Sequence, residues 1–314
     1  MPLDPLMKDF LDQMALQPTP KLWEMPPALA RETMIAMTQL IGPKDVPIGK
    51  VVTRAIPAAH GEIPIRVYTP VAGGAEPMPA MVYFHGGGWV IGNLDTHDGV
   101  CRILANESRC RIVAVDYRLS PEHKFPAAVE DAFAAVSWIE SNASDMGIDA
   151  NRLAVGGDSA GGALAAVVAQ MAKEKGKPKL SFQLLFFPVT QIGEETISLR
   201  DFAEGFFLEA QTLNWFYDHY LDADADKNDP RISPLRAKTV SGLPPAYVMV
   251  AGFDPLHDEG VAYAEKLREA GVAVTLDDYP DLVHDFILMQ AVVPQAKEAL
   301  VAAAGALKSA LKAE

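Results

Sequence analysis

Basic residues are scarce: 27 lysines and arginines stand against 41 aspartates and glutamates, for a net charge of −14 and an isoelectric point near 4.9. No Lys/Arg cluster breaks that average, which argues against a basic face for nucleic acid or for an anionic membrane surface. Neither partner is expected. Cysteine is scarcer still. Cys101 lies in a helical pattern and Cys110 just before a strand-like run, so both read as free thiols rather than parts of a disulfide framework. No apolar run is as long as a membrane span, and the opening Met1-Pro2-Leu3-Asp4-Pro5 lacks a basic stretch followed by an apolar one. A cytoplasmic protein is the expectation. Gly-Lys-Ser/Thr and correctly spaced G-x-G-x-x-G are both missing, and no His/Cys cluster has ligand spacing. No phosphate loop, metal or other cofactor is expected.

What is present is apolar content: 49% of 314 residues are hydrophobic and no polar tract is long, which fits one large domain with insertions. Ala80–Phe84, Ile112–Asp116, Leu153–Val155, Ser181–Phe187, Ala246–Ala251 and Ala273–Tyr279 are short apolar runs. Helical patterns at Pro126–Ser141, Ala160–Lys175, Asp258–Ala270 and Ala291–Lys312 lie between and after them. That alternation predicts an α/β fold, a mostly parallel sheet with helices on both faces. Ahead of it, Val51–Ile56 and Ile63–Tyr68 read as an antiparallel pair at a sheet edge.

Two segments stand outside the alternation. Leu6, Phe10, Met14, Leu29, Met34 and Met37 have helical spacing interrupted by Pro18, Pro20, Pro26 and Pro27, which predicts two short amphipathic helices, their methionines mainly packing. Gln191 to Lys238 is too long for a simple crossover and too aromatic for disorder. The predicted organisation is therefore N-terminal cap helices over 1–45, a catalytic domain over 46–190 and 239–314, and a helical cap insertion over 191–238.

Chemistry concentrates where apolar runs end, the edge at which such sheets bind ligands. Gly157-Asp158-Ser159-Ala160-Gly161 fits G-x-S-x-G, a sharp strand-to-helix turn that lifts the serine hydroxyl above the sheet. The plainer reading is a helix opened by small residues, with Asp158 or Ser159 as its N-cap. After Phe84, the run His85-Gly86-Gly87-Gly88-Trp89 can turn backbone N–H groups towards a ligand. Gly87, Gly88 and Ala160 are the expected donors to an oxyanion, and His85 is expected to hold the loop. Where such an elbow carries a nucleophile, an acid and then a histidine follow in the chain. Asp254 and His284 fill those places, each just beyond an apolar run. His60, His97, His123 and His219 lie before Ser159 or in the cap, and Asp258 and Glu259 suit a helix N-terminus.

His85-Gly86-Gly87-Gly88-Trp89, Asp116-Tyr117-Arg118-Leu119-Ser120-Pro121-Glu122, Gly157-Asp158-Ser159-Ala160-Gly161-Gly162, and Asp254-Pro255-Leu256 with Asp258-Glu259-Gly260 together resemble the bacterial hormone-sensitive-lipase-like (family IV) carboxylesterases. These motifs span nearly the whole chain. The resemblance implies an α/β-hydrolase fold with a helical cap, Ser159 as nucleophile, Asp254 as acid, His284 as base, and oxyanion donors at Gly87, Gly88 and Ala160. It implies a structural role for Asp116 and Arg118, tying strand ends together. The substrate it implies is a small-molecule ester of short to medium acyl chain, in a pocket bounded by Trp89, Phe206, Phe207, Leu208 and Phe216. The rival readings are an amide hydrolase on the same triad, a non-catalytic ligand-binding protein, and an interaction protein docking through exposed aromatics; monomer and homodimer both fit the sequence. Two positions depart from the family: Ala163 replaces the usual asparagine, and Asp285 follows His284 where glycine is usual. A carboxylate there either raises the histidine's pKa or points outward, and a small effect is expected.

Overall fold

The computed structural model describes residues 2–17, 19–73 and 76–313, so Met1 and Pro18 lie outside the described residues. Eight strands form one sheet: β1 (Lys50–Ala58), β2 (Gly61–Thr69), β3 (Met78–Phe84), β4 (Arg111–Val115), β5 (Ile148–Asp158), β6 (Phe182–Phe186), β7 (Ala246–Phe253) and β8 (Val274–Val283). Their order is β1-β2-β4-β3-β5-β6-β7-β8. Only β2 runs against its neighbours; every pairing from β4 to β8 is parallel. Strands β3, β4 and β6 are buried along their whole length, because helices cover both faces, and therefore carry continuous apolar runs instead of alternation. At the edge, β1 is mostly exposed.

Nine helices accompany the sheet among the described residues: α1 (Pro5–Ala15), α2 (Pro27–Ile41), α3 (Asp98–Ser108), α4 (Ala127–Ser141), α5 (Ala160–Lys175), α6 (Ile197–Asp201), α7 (Ala210–Tyr220), α8 (His257–Glu269) and α9 (Pro294–Leu311). Helix α5 is the most enclosed. It stops at Gly176, a left-handed C-cap, with Lys173 and Lys175 beside the exposed carbonyls of its last turn. Its first turn lies so close to β3 that a Cβ on Gly161 would stand 1.9 Å from the Phe84 carbonyl oxygen.

The two N-terminal helices form where proline spacing allows, but they are rolled relative to the periodicity. Leu6, Met14 and Leu29 face outward, while Met7, Ala30, Met34 and Ile41 enter the core. Hydrogen bonds to the sheet-bearing body fix that roll: Asp4 N–H donates to the Asp281 carbonyl at 2.8 Å, and the Arg31 guanidinium donates to the carbonyls of Val90 and Ser120 at 2.8 and 2.9 Å. In the 191–238 segment, Leu208, Phe216 and Tyr220 are buried, which leaves no exposed aromatic docking face at those positions.

Arg118 differs from its implied role. It grips Asp131 of α4 through its backbone N–H and its guanidinium at 2.8–3.1 Å, tying the β4 exit to a helix rather than strand end to strand end. Asp116 reaches β2 through its backbone N–H, 3.0 Å from the Pro64 carbonyl.

Because the Gly161 contact is with backbone, little can yield. Gly161→Ala is expected to destabilise the protein by about 2–4 kcal/mol. Urea unfolding checks this, and an unchanged midpoint would contradict the close approach.

Candidate active site

Strand β5 ends at Asp158, and the chain reverses into α5 through Ser159, whose φ of 53° and ψ of −118° lie outside the ordinary basins. Backbone bonds hold that geometry. Ser159 N–H donates to the Phe186 carbonyl at 2.8 Å, and its own carbonyl accepts from Ala163 and Val189 at 3.0 and 3.2 Å. Ser159 is the helix N-cap position, but its side chain makes no capping bond. The hydroxyl is thereby free to face elsewhere.

It faces His284. Strand β8 carries that histidine just past its end, and β7, its neighbour in the sheet, carries Asp254 just past its own. Ser159 Oγ is 3.0 Å from His284 Nε2, and His284 Nδ1 is 2.7 Å from Asp254 Oδ2. Asp254 Oδ1 accepts from Leu256 N–H at 2.8 Å, which fixes the carboxylate plane. Burial opposes charge on His284, yet Asp254, supported by Asp285 and Asp158, raises its pKa above the ordinary imidazole value.

Across the serine lies the glycine loop after β3. Gly87 and Gly88 have φ of 112° and 58°, a backbone that side chains resist, and a Cβ on Gly88 would run into the Phe216 ring. None of the N–H groups of Gly87, Gly88 and Ala160 has a protein acceptor among the described residues. His85 secures the loop as expected: its Nδ1 lies 2.8 Å from the Gly86 carbonyl, and the Tyr117 hydroxyl donates to the His85 carbonyl at 2.7 Å. Burial and nearby His97 push the His85 pKa down to about 4, so it is a neutral donor.

The aromatic residues divide. Phe216 abuts Gly88, whereas Trp89 turns away at a positive φ of 60° and stacks on Tyr220 of α7 with ring centres 4.1 Å apart. Trp89 therefore backs the loop and does not line open space. Phe206 packs on Phe202 and Phe253, Phe207 is half-buried, and Leu208 is buried. A cavity of about 250 Å³ lies between α6, α7 and the start of α8, bordered by Leu199, Leu213, Tyr217, Leu256 and Glu259 rather than by the residues predicted for the pocket.

Sequence reasoning missed the support behind the elbow. Asp158 is not an N-cap; it is fully buried, accepts from the Tyr83 hydroxyl and lies 3.0 Å from His97 Nε2. The available signal was a carboxylate inside an otherwise small and apolar corner, which demands a buried partner. Asp285 also points inward. Among the described residues, His97, Asp158 and Asp285 are the only three such groups close enough to share an ion. The His97–Asp158 contact at 3.0 Å is already a hydrogen bond.

A family model described as alpha/beta hydrolase fold matches residues 81–288. The carboxylic ester hydrolase LipN of Mycobacterium tuberculosis is 49% identical over 239 residues, which are 74% of this chain and 63% of that protein. An ethyl acetate hydrolase of Pseudomonas putida is 43% identical over 251 residues, 79% of each chain. Among solved structures, an ester hydrolase from the Lake Arreo metagenome, complexed with a bipyridine phosphonate derivative, superposes with a TM-score of 0.96 at 42% identity and covers 98% of both chains. A thermostable esterase of Pseudomonas putida superposes at 0.95 with 39% identity, covering 100% of this chain and 99% of the other.

The electrostatics of His284 can be read directly. Its imidazole, followed by NMR, is expected to titrate above 6.5, and Asp254→Asn is expected to lower the midpoint by about one unit or more. A parent midpoint below 6.5 would contradict the arrangement.

Proposed function

This chain belongs to the hormone-sensitive-lipase-like α/β-hydrolases, a family of carboxylic ester hydrolases, and we propose that it cleaves short- to medium-chain esters through an acyl-enzyme on Ser159. The observation that carries the reading is one continuous run, Ser159 Oγ to His284 to Asp254 at 3.0 and 2.7 Å, beside three amide N–H groups with no acceptor among the described residues.

In this reading His284 Nε2 takes the Ser159 proton as Oγ attacks the ester carbonyl. Asp254 holds the Nδ1–H tautomer and balances the imidazolium. Negative charge gathers on the former carbonyl oxygen, where Gly87, Gly88 and Ala160 donate; one such donor contributes about 3–4 kcal/mol to lowering the barrier. His284 then gives its proton to the departing alkoxide, which leaves as alcohol. Water enters, His284 removes its proton, and attack on the acyl-enzyme releases the carboxylic acid and restores Ser159.

The cap is part of the proposal, formed by the N-terminal helices with residues 191–238. Supporting it, the turn Leu22–Glu24 packs on α7, and Lys21 pairs with Glu209 at 3.1 Å. Phe216 brings the cap against the oxyanion loop, and Ser159 is only 7% exposed. Space bounded in this way favours a short acyl group over a long lipid.

On a short-chain chromogenic ester, Ser159→Ala is expected to lose about 10⁴-fold or more in kcat, and Asp254→Asn about 10³–10⁴-fold. A serine-directed phosphonate should label the parent at Ser159 and leave Ser159→Ala untouched. A folded parent that neither turns over nor is labelled would defeat the assignment. Across a chain-length series, kcat/KM should peak at short to medium esters, and a steady rise to long-chain emulsions would refute the bounded pocket. Matched anilides should react more slowly than the esters.

A further inference from the structure

Behind the triad lies a second ionisable cluster that the reaction above does not use. Asp158 closes β5, His97 precedes α3 and Asp285 follows His284; they are 0%, 1% and 6% exposed. One polar atom from each lies within 4.8 Å of the other two. A contact of 3.0 Å between His97 Nε2 and Asp158 Oδ2 requires one proton between them, whichever atom carries it. The Tyr83 hydroxyl already donates to the other Asp158 oxygen, and Thr96 Oγ1 is 2.9 Å from His97 Nδ1. Asp285 meets this occupied pair with an Oδ1 that has no hydrogen-bond partner among the described residues.

The turn does not need that carboxyl. Asp285 is left-handed, with φ 58° and ψ 24°, a conformation that glycine adopts freely and that Asp and Asn tolerate. The groups facing it are Asp158 from β5, His97 before α3, His284 beside it, Asp254 beyond β7 and Tyr83 from β3. His85 lies beyond His97, with ring centres 5.6 Å apart, the buried Cys101 thiol feels Asp158, and Glu259 of α8 feels both Asp254 and His284.

We propose that Asp285 is a positioning residue acting through His284: held between the triad imidazole and the Asp158–His97 pair, its buried carboxyl biases a proton onto His284 and so sets the acidic edge of activity. This rests on His284 being the general base. An ionised Asp285 favours the imidazolium, which cannot accept the Ser159 proton, so the acidic limb lies at higher pH than with a neutral side chain. Burial and Asp158 push Asp285 up to about 7, against the pull of His284 and His97, which places its ionisation near that limb.

Stability gives an independent readout. A carboxyl raised from 3.8 to about 7 on folding binds its proton more tightly in the folded chain. Its contribution is complete below the unfolded value and is lost as pH rises through about 7. Removing the carboxyl therefore stabilises the protein relative to the parent by an amount that grows over that interval.

The experiment uses Asp285→Asn, which keeps shape without charge, and Asp285→Gly, which suits the turn. In both, the acidic midpoint of kcat/KM against pH is expected to fall by about 0.5–1 unit, a roughly 3–10-fold gain in relative activity well below the parent midpoint. The Tm difference between each variant and the parent should widen from about pH 5 to about pH 8. Active variants with unmoved midpoints, or a shift in Asp285→Gly alone, would overturn the inference while leaving the triad in place. Parent activity that survives Ser159→Ala would overturn the triad instead.

Discussion

The close approach of α5 to the end of β3 is the constraint on which the catalytic face depends. It sets the first turn of α5, with the Ala160 N–H that has no acceptor among the described residues, against the end of β3 from which the glycine loop leaves. It also leaves Ser159 no relaxed backbone. Such a conformation costs on the order of 1–3 kcal/mol, offset here by the bond Ser159 N–H donates to the Phe186 carbonyl and those its carbonyl accepts from Ala163 and Val189. Because β7 and β8 are adjacent and parallel, their ends deliver Asp254 and His284 to the serine without a long loop.

Charge is arranged as tightly as shape. Asp158, Asp254 and Asp285 are buried together with His85, His97 and His284. Burial and neighbouring His97 keep His85 neutral, which leaves His97 and His284 to balance three carboxyls. Burial opposes charge on both histidines, but contact with Asp158 and Asp254 respectively raises each. The shortfall falls on Asp285, the one of the three carboxyls with an oxygen that has no partner among the described residues. The glycine loop, the elbow and the Ser159–His284–Asp254 run thus share one buried electrostatic unit: His85 opens the loop, Asp158 belongs to the elbow, and Asp285 adjoins His284.

Much of this was legible in the sequence, for physical reasons. Central strands buried on both faces leave continuous apolar runs, so β3, β4 and β6 could be placed within about two residues. The G-x-S-x-G corner and the glycine loop are legible because close backbone approach tolerates no side chain, as Gly161 and Gly87 illustrate. Asp254 and His284 followed from the rule that strand ends converge. What stayed hidden depends on tertiary partners. No spacing links His97 to Asp158 across 61 residues, and nothing local decides whether Asp285 points in or out. The roll of α1 and α2 was set by Asp4 and Arg31 reaching distant carbonyls, which helical periodicity does not encode. Sequence alone assigns Trp89 to the pocket because its positive φ, which turns it onto Tyr220, has no signature outside glycine.

The central claim is that Ser159 becomes covalently acylated, and rapid quenching tests it directly. The protein would be mixed with excess short-chain activated ester, quenched in acid within the first turnovers, and mapped by peptide mass spectrometry. The account predicts an adduct of the acyl mass on the peptide containing Ser159, formed at the rate of the product burst. Turnover with no adduct, or an adduct on another residue that forms at the catalytic rate, would contradict it.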